Sequence, residues 1–159
     1  MKDASLSELL AEHPFTADVS DEERQMLANL ATIRVYEPDE LLITEGRPAT
    51  AFYLVVDGLV ALELFVPGSG VRRLQTVEGG SAVGWSWMLA PYRWEFDARA
   101  LQQTNVIVMD ADRLRALLDR ECCLGLHVVR KLLGVVAERL KATRLQLLDV
   151  YGPPTEVRQ

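Results

Sequence analysis

The pattern of apolar and polar residues changes twice along this chain. Ser5 to Ala11 and Ser20 to Ala31 read as two short helices, separated by His13-Pro14-Phe15. Asp21 and Glu22 fall in the first turn of the second, where carboxylates suit the positive end of the helix dipole. From Thr32 to about Asp110 the pattern becomes that of strands. The stretches IRVYE, ELLITEG, AFYLVVDG, VALELFV, RRLQTV, WEFDARAL and NVIVMD are short, rich in β-branched and aromatic residues, and partly alternating. Glycine or proline punctuates most of them, and Val66 to Val71 reads as a hairpin tip. About eight short strands with regular turns imply a sandwich or jelly roll.

Ala111 to Val150 is helical again: a short helix over Ala111–Arg120, then one long helix from Cys122 or Cys123 onward. On the long helix Leu126, Val129, Leu133, Val136, Leu140, Thr143, Leu147 and Val150 recur at alternating spacings of three and four. That is a heptad seam, expected either to pair with a second copy of the helix or to lie on the chain's own barrel. A homodimer is the expectation adopted, because the seam runs longer than one short barrel face needs. The layout predicted is a single mainly-β domain over residues 1–159. It has N-terminal helices at 5–31, an eight-stranded jelly roll at 32–110, C-terminal helices at 111–150 and a disordered tail at 151–159.

Composition narrows the function classes. The formal net charge of −6 disfavours a surface made for nucleic acid or anionic membrane. The two cysteines are adjacent, a poor arrangement for a disulfide or a zinc site, and are expected to be buried small residues at a helix start. With no secretory leader or membrane-length apolar run, a cytoplasmic protein is expected. His13 and His127 lie outside the strands, which argues against a metal-dependent jelly-roll enzyme. No catalytic triad, P-loop or dinucleotide fingerprint is present, so no enzyme, metal or cofactor is expected.

The chemistry concentrates in Glu78–Ala100, EGGSAVGWSWMLAPYRWEFDARA. Gly79-Gly80, then Gly84, a helix-like turn and an alternating strand outline a cradle for a nucleotide phosphate. Together with Glu45-Gly46, Phe52 to Gly58 and Ala98-Arg99-Ala100, the order and spacing of elements over about residues 5 to 150 resemble the cyclic nucleotide-binding domain of the catabolite activator protein type.

That resemblance implies a phosphate cassette reading Gly-Glu, a short apolar helix, then Arg followed by a small residue. The helix N-terminus and the arginine would hold the phosphate, and the glutamate the ribose. Gly84 matches the glycine. Trp85 stands at the glutamate, Trp94 at the arginine and Glu95 at the small residue. Arg93 misses the site by one position and, in a strand, points to the opposite face. Losing an arginine–phosphate pair forfeits about 1.5–3 kcal/mol, and Glu95 adds like-charge repulsion. Tight binding of cyclic AMP or cyclic GMP in the usual way is therefore not expected. A bulge turning Arg93 inward is the alternative that would restore it.

Trp85, Trp87, Tyr92, Trp94 and Phe96 crowd into twelve residues of a chain with eleven aromatics. They form either a pocket for a planar ligand or a site filled by the protein's own side chains. The candidate degenerate pocket comprises Gly84, Trp85, Ser86, Trp87, Arg93, Trp94 and Glu95, with Thr143 and Arg144 of the long helix. The resemblance puts Thr143 where relatives meet the nucleotide base. Arg139 and Arg144 fall beside the seam, where a parallel pair would bring like charges together. A pairing of either with Glu95 or Asp97 would dock the helix without a ligand. In DNA-reading relatives a helix-turn-helix follows the long helix, and the nine residues after Val150 are too few for one. The reading is a stand-alone regulatory or adaptor domain acting on an unidentified protein partner. The alternatives are a small-ligand sensor with a rearranged pocket and a transcription-regulator remnant.

Overall fold

A computed structural model describes residues 5–152. Two N-terminal helices, α1 (Leu6–Glu12) and α2 (Asp21–Ala28), open the chain. Each starts on a serine, Ser5 or Ser20, whose hydroxyl accepts from the backbone N–H three residues on. The glutamate at that third position reaches back to the serine N–H. This reciprocal box satisfies two helix-end donors and explains why such short helices begin where they do.

Eight strands follow: β1 (Ala31–Tyr36), β2 (Leu41–Ile43), β3 (Ala51–Asp57), β4 (Leu59–Val66), β5 (Gly70–Glu78), β6 (Ala82–Val83), β7 (Asp97–Ala100) and β8 (Thr104–Asp110). They form two four-stranded antiparallel sheets, ordered β1-β8-β3-β6 and β2-β7-β4-β5. The mainly-β jelly roll with flanking helices is thus the fold observed. The β4–β5 hairpin closes with Val66 opposite Gly70, at the predicted tip. The two-residue β6 is an element the sequence pattern did not name. The long strand expected from Trp94 shortens to Asp97–Ala100.

The core lies between the sheets. Phe52 to Val55 are buried in succession, because the outer face of β3 is also covered: His13, Phe15 and Trp87 pack there. Glu63 of β4 is buried within its own sheet and paired with Arg99 of β7 at 3.0 Å, and Arg99 also donates to the Asp39 carbonyl.

His13 clamps the N-terminal loop to β3. Its Nε2 lies 2.9 Å from the Val55 carbonyl, and its Nδ1 accepts from the Phe15 N–H at 3.1 Å. That geometry needs the neutral ring with its proton on Nε2, and burial holds its pKa below the ordinary 6.5. Above pH 6.5 both folded and unfolded chains carry a neutral His13, and it adds no pH dependence. As pH falls through 6.5 the unfolded chain takes up a proton that the folded chain refuses. Stability then drops by up to about 1.4 kcal/mol per pH unit until the folded pKa is reached. The melting temperature of His13→Gln should accordingly fall less between pH 7 and pH 5 than that of the parent. Equal slopes would remove His13 from the acid limb.

The C-terminal part comprises α3 (Ala111–Arg120) and the 30-residue α4 (Cys122–Tyr151). Asp110 caps α3 by accepting from the Arg113 N–H. α4 carries two stripes. Leu124, Val128, Leu132 and Arg139 are buried, with Val135 packed against the core. The predicted seam lies elsewhere on the helix: Leu126, Val129, Leu133, Leu140, Leu147 and Val150 are exposed, and Val136 is half-buried. The seam residues are therefore not the ones that hold α4 to its own barrel. Asp18 pins the N-terminal loop to α4 through Lys131 at 3.1 Å, with His127 Nε2 lying 3.2 Å from the other carboxylate oxygen. Lys131 holds the Asp18 carboxyl below its ordinary range.

Two expectations are corrected here. Cys122 and Cys123 are exposed rather than buried, because the first turn of α4 turns Leu124 and Gly125 inward instead. Tyr151, assigned to the tail, completes α4; residues 153–159 of that tail lie outside the described residues.

Candidate functional site

The cassette begins where β6 ends. Gly84 has φ +79°, a left-handed conformation that glycine adopts without strain. It is also a point of contact: a Cβ built there would lie 2.4 Å from Cζ3 of Trp94. The Trp94 indole therefore sits directly on the first residue of the cradle. Trp94 is 5% exposed, with the rings of Tyr53 and Phe96 at 6.2 Å and 6.5 Å.

The segment after Gly84 forms a turn, closed by the Met88 N–H donating to the Trp85 carbonyl, in place of a helix. It presents no helix N-terminus of the kind that binds a phosphate. Ser86 is buried. Trp87 is fully buried and stacks on Phe52 at 4.7 Å, so it belongs to the core and not to a pocket wall. Arg115 of α3 holds this segment from outside: it donates to the Trp87 carbonyl at 2.5 Å and lies over the Tyr92 ring at 4.2 Å.

Arg93 and Trp94 alternate as strand geometry requires. Trp94 exchanges backbone hydrogen bonds with the Gly46–Arg47 segment and turns inward. Arg93 turns outward, where its guanidinium donates to the Gly46 carbonyl at 2.9 Å. No bulge brings Arg93 into the cradle, so the rearrangement that would restore a phosphate-binding arginine is absent from this structure.

What remains is a pocket of about 230 Å³ lined by Leu62, Leu74, Trp85, Glu95, Arg139 and Thr143, among others. It is below the usual 300–1,000 Å³ of a small-molecule site. The Thr143 hydroxyl donates to the Arg139 carbonyl one turn earlier. Glu95 is exposed. Arg144 is exposed too, and is not among the wall residues. The structure thus gathers Trp85, Glu95 and Thr143 around this pocket, with Trp94 beside Gly84. Ser86 and Trp87 are buried outside its walls, and Arg93 and Arg144 are left on the surface.

The residue sequence reasoning misplaced is Arg139. It is not a rim charge beside the seam. It is 9% exposed, donates from Nη2 to the Ala82 carbonyl at 2.9 Å, and stacks its guanidinium carbon 5.0 Å from the Trp85 ring centre. Burial lowers its pKa to about 10, which leaves it charged at neutral pH. α4 is therefore docked onto the barrel by a cation of its own, whose partners are a carbonyl and an indole. No ion pair joins Arg139 or Arg144 to Glu95 or Asp97; Asp97 instead accepts from the Glu45 N–H at 2.7 Å. The spacing of Leu124, Val128, Leu132, Val135 and Arg139 by threes and fours is the signal that would have placed Arg139 on the buried stripe.

The model of the cyclic nucleotide-binding domain matches residues 33–121, from β1 to the end of α3. The chain belongs to the cyclic nucleotide-binding domain family. A Rhodopseudomonas palustris protein whose name is that of a potassium channel is 30% identical to this cyclic nucleotide-binding-type domain over 128 residues. The match takes in 79% of this chain and 29% of that protein's length. Among solved structures, a cyclic nucleotide-binding domain from Methylobacillus flagellatus KT superposes with a TM-score of 0.77 at 23% identity, over 95% of this chain and 85% of that one. A cyclic nucleotide-binding protein from Geobacter metallireducens GS-15 superposes at 0.74 and 23% identity, over 86% and 98% of the two chains. At these identities the likeness fixes the fold; the cassette has to be read from this chain's own residues.

Proposed function

We propose that this is a cyclic nucleotide-binding-type regulatory domain with a self-filled cassette, which does not take up cyclic AMP or cyclic GMP in the usual way. The observation that carries this reading is the Trp94 ring lying on Gly84 in the place where the resemblance puts a phosphate and its arginine. Trp85 supports it, because the indole at the glutamate position is occupied by Arg139. The docking of α4 that a nucleotide would help to fix is supplied from within the chain. Such a domain has no catalytic work to do, and its signal is passed to a protein partner, within the cytoplasm. Among the described residues no helix is long and apolar enough to cross a membrane.

A saturating ligand with affinity for the native state raises the melting temperature, by about 2.7 kcal/mol of stability at a hundredfold excess over Kd. Cyclic AMP and cyclic GMP at about 1 mM are expected to leave the melting temperature unchanged, which excludes Kd values at or below about 10 µM. A clear upward shift with either would replace this reading by the small-ligand sensor.

The second part of the proposal is a homodimer through α4. The exposed seam supports it: Leu133 is 65% exposed and Leu147 52%, in a row along a helix whose other face is already buried. Burying one such leucine contributes about 1.5–3 kcal/mol. Leu133→Glu with Leu140→Glu should weaken dimerisation by at least about a hundredfold in sedimentation equilibrium. A parent that is monomeric at micromolar concentration, or a double variant that dimerises as the parent does, would remove this part.

A further inference from the structure

The chain's two cysteines, Cys122 and Cys123, open α4, and both are exposed. A bridge between them would have to break the first turn of the helix. Neighbouring Cα atoms across a trans peptide lie about 3.8 Å apart, closer than the roughly 4.4 Å that a disulfide ordinarily spans. Their thiols are therefore placed to react outside the chain.

Cys122 has a second property. Four residues before Leu126, it extends the exposed seam of Leu126, Val129 and Leu133 by one step toward the start of the helix. Cys123 falls beside the seam, about 100° further round the helix. The exposed leucines and valines of the seam offer roughly 600 Å² per copy, so two seams would bury about 1,200 Å², the lower end of a stable protein interface. The occupant that fits a heptad stripe of this length is the same stripe on a second copy.

Charge selects the direction of pairing. Antiparallel helices with the whole seam overlapped would set the exposed Arg130 of each copy against Arg144 of the other. Parallel helices set Arg130 beside Gly125, and Arg144 beside Arg139, whose guanidinium is already turned to the Ala82 carbonyl and the Trp85 ring. In a parallel pair Cys122 meets its own copy at the end of the seam. In an antiparallel pair the two would lie about 40 Å apart. The first turn of α4 has no side-chain cap, so its backbone is free to settle into disulfide geometry.

We propose that α4 pairs in parallel with a second copy and that Cys122 is the site of a peroxide-driven disulfide between the two. This rests on the α4 dimer proposed above. Hydrogen peroxide oxidises the Sγ of one Cys122 to a sulfenic acid and releases water. The Sγ of the second copy attacks that sulfur: the S–S bond forms, the S–O bond breaks, and the hydroxyl leaves with the thiol proton as a second water. Two thiols and one peroxide thus give one disulfide and two waters. A thiol reductant reverses the step, so the bond locks the dimer only while peroxide prevails.

Non-reducing electrophoresis of the full chain after treatment with hydrogen peroxide tests this, beside sedimentation equilibrium of the reduced chain. A covalent dimer should appear, and dithiothreitol should return it to the single chain. Cys122→Ser should lower its yield at least about tenfold and Cys123→Ser should leave it within about twofold, because only facing seam positions hold two thiols at millimolar effective concentration. Leu133→Glu with Leu140→Glu should lower the yield about tenfold as well, by separating the helices. Reduced Cys122→Ser should sediment as the parent does. A reduced parent that dimerises but gives no covalent dimer, or gives it equally without Cys122, would overturn this proposal and leave the α4 dimer standing. A monomeric reduced parent that crosslinks no more than the double leucine variant would remove both.

Discussion

Trp94→Ala is expected to lower stability by about 3–5 kcal/mol, because it empties a large buried site that the surroundings can only partly close. At about 2–4 °C per kcal/mol for a domain of this size, the melting temperature should fall by roughly 6–20 °C. The magnitude separates a core residue from a surface aromatic. Trp94 is 5% exposed and its ring meets the backbone at Gly84, so its loss opens the cradle itself. Tyr92, 38% exposed and on the outer side of the same loop, provides the comparison. Tyr92→Ala should cost about 1 kcal/mol, chiefly the contact with Arg115. A Trp94→Ala variant that melts within a few degrees of the parent would show that the indole does not fill the site.

Gly84→Ala should be nearly as damaging, for two separable reasons. The first is the backbone: φ of +79° costs an L-residue about 1–2 kcal/mol. The second is the clash of the new Cβ, 2.4 Å from Trp94 Cζ3. Overpacking of this kind costs about 1–3 kcal/mol when the neighbour cannot move, and a buried indole ring has little freedom to do so. Combining Gly84→Ala with Trp94→Ala should remove the clash, so that Gly84→Ala adds only its backbone cost to the loss of Trp94. The two changes are then non-additive, with a coupling of about 1–3 kcal/mol in the direction of rescue. Chemical denaturation of the parent, both single variants and the double variant measures it. Additive effects would mean that the two residues do not touch.

Much of the fold could be read from local sequence. Ser5 and Ser20 announce their helices with glutamates three residues on. The hairpin tip, the limits of α3 and most strands follow from turn residues and alternation. The inward Trp94 and outward Arg93 follow from the two-residue period of an extended chain, with Ala98-Arg99-Ala100 as the anchor.

Other features depended on tertiary contacts that no local pattern carries. Proximity in sequence groups Trp87 with Trp85 and Trp94. The turn after Gly84 sends it instead into the core beside Phe52, a residue thirty-five positions earlier. β6 is two residues long and exists only because Tyr53 and Leu54 offer it a partner. Cys122 and Cys123 are small and apolar, yet the rotation of α4 is set by Leu124, Val128 and Leu132, which leaves them outside.

Arg139 shows how a charge can be misread. In a heptad frame it sits beside the seam, but on the helix it continues the buried row of Leu132 and Val135. A long helix with two apolar stripes offers two frames, one exposed and one buried. The Ala82 carbonyl and the Trp85 ring make the burial of a cation tolerable there, and neither partner is evident from α4 alone.

Titration calorimetry of the parent chain with cyclic AMP and cyclic GMP tests the filled cassette most directly. With Trp94 on Gly84, Trp85 engaged by Arg139, and Arg93 turned to the Gly46 carbonyl, the two cassette side chains that the resemblance gives to the nucleotide have no replacement at the cradle. No saturable heat is expected with either nucleotide up to about 1 mM. Saturable one-site binding with a Kd of about 10 µM or tighter would contradict it, since that affinity needs about 7 kcal/mol from a site that must first expel its own tryptophan.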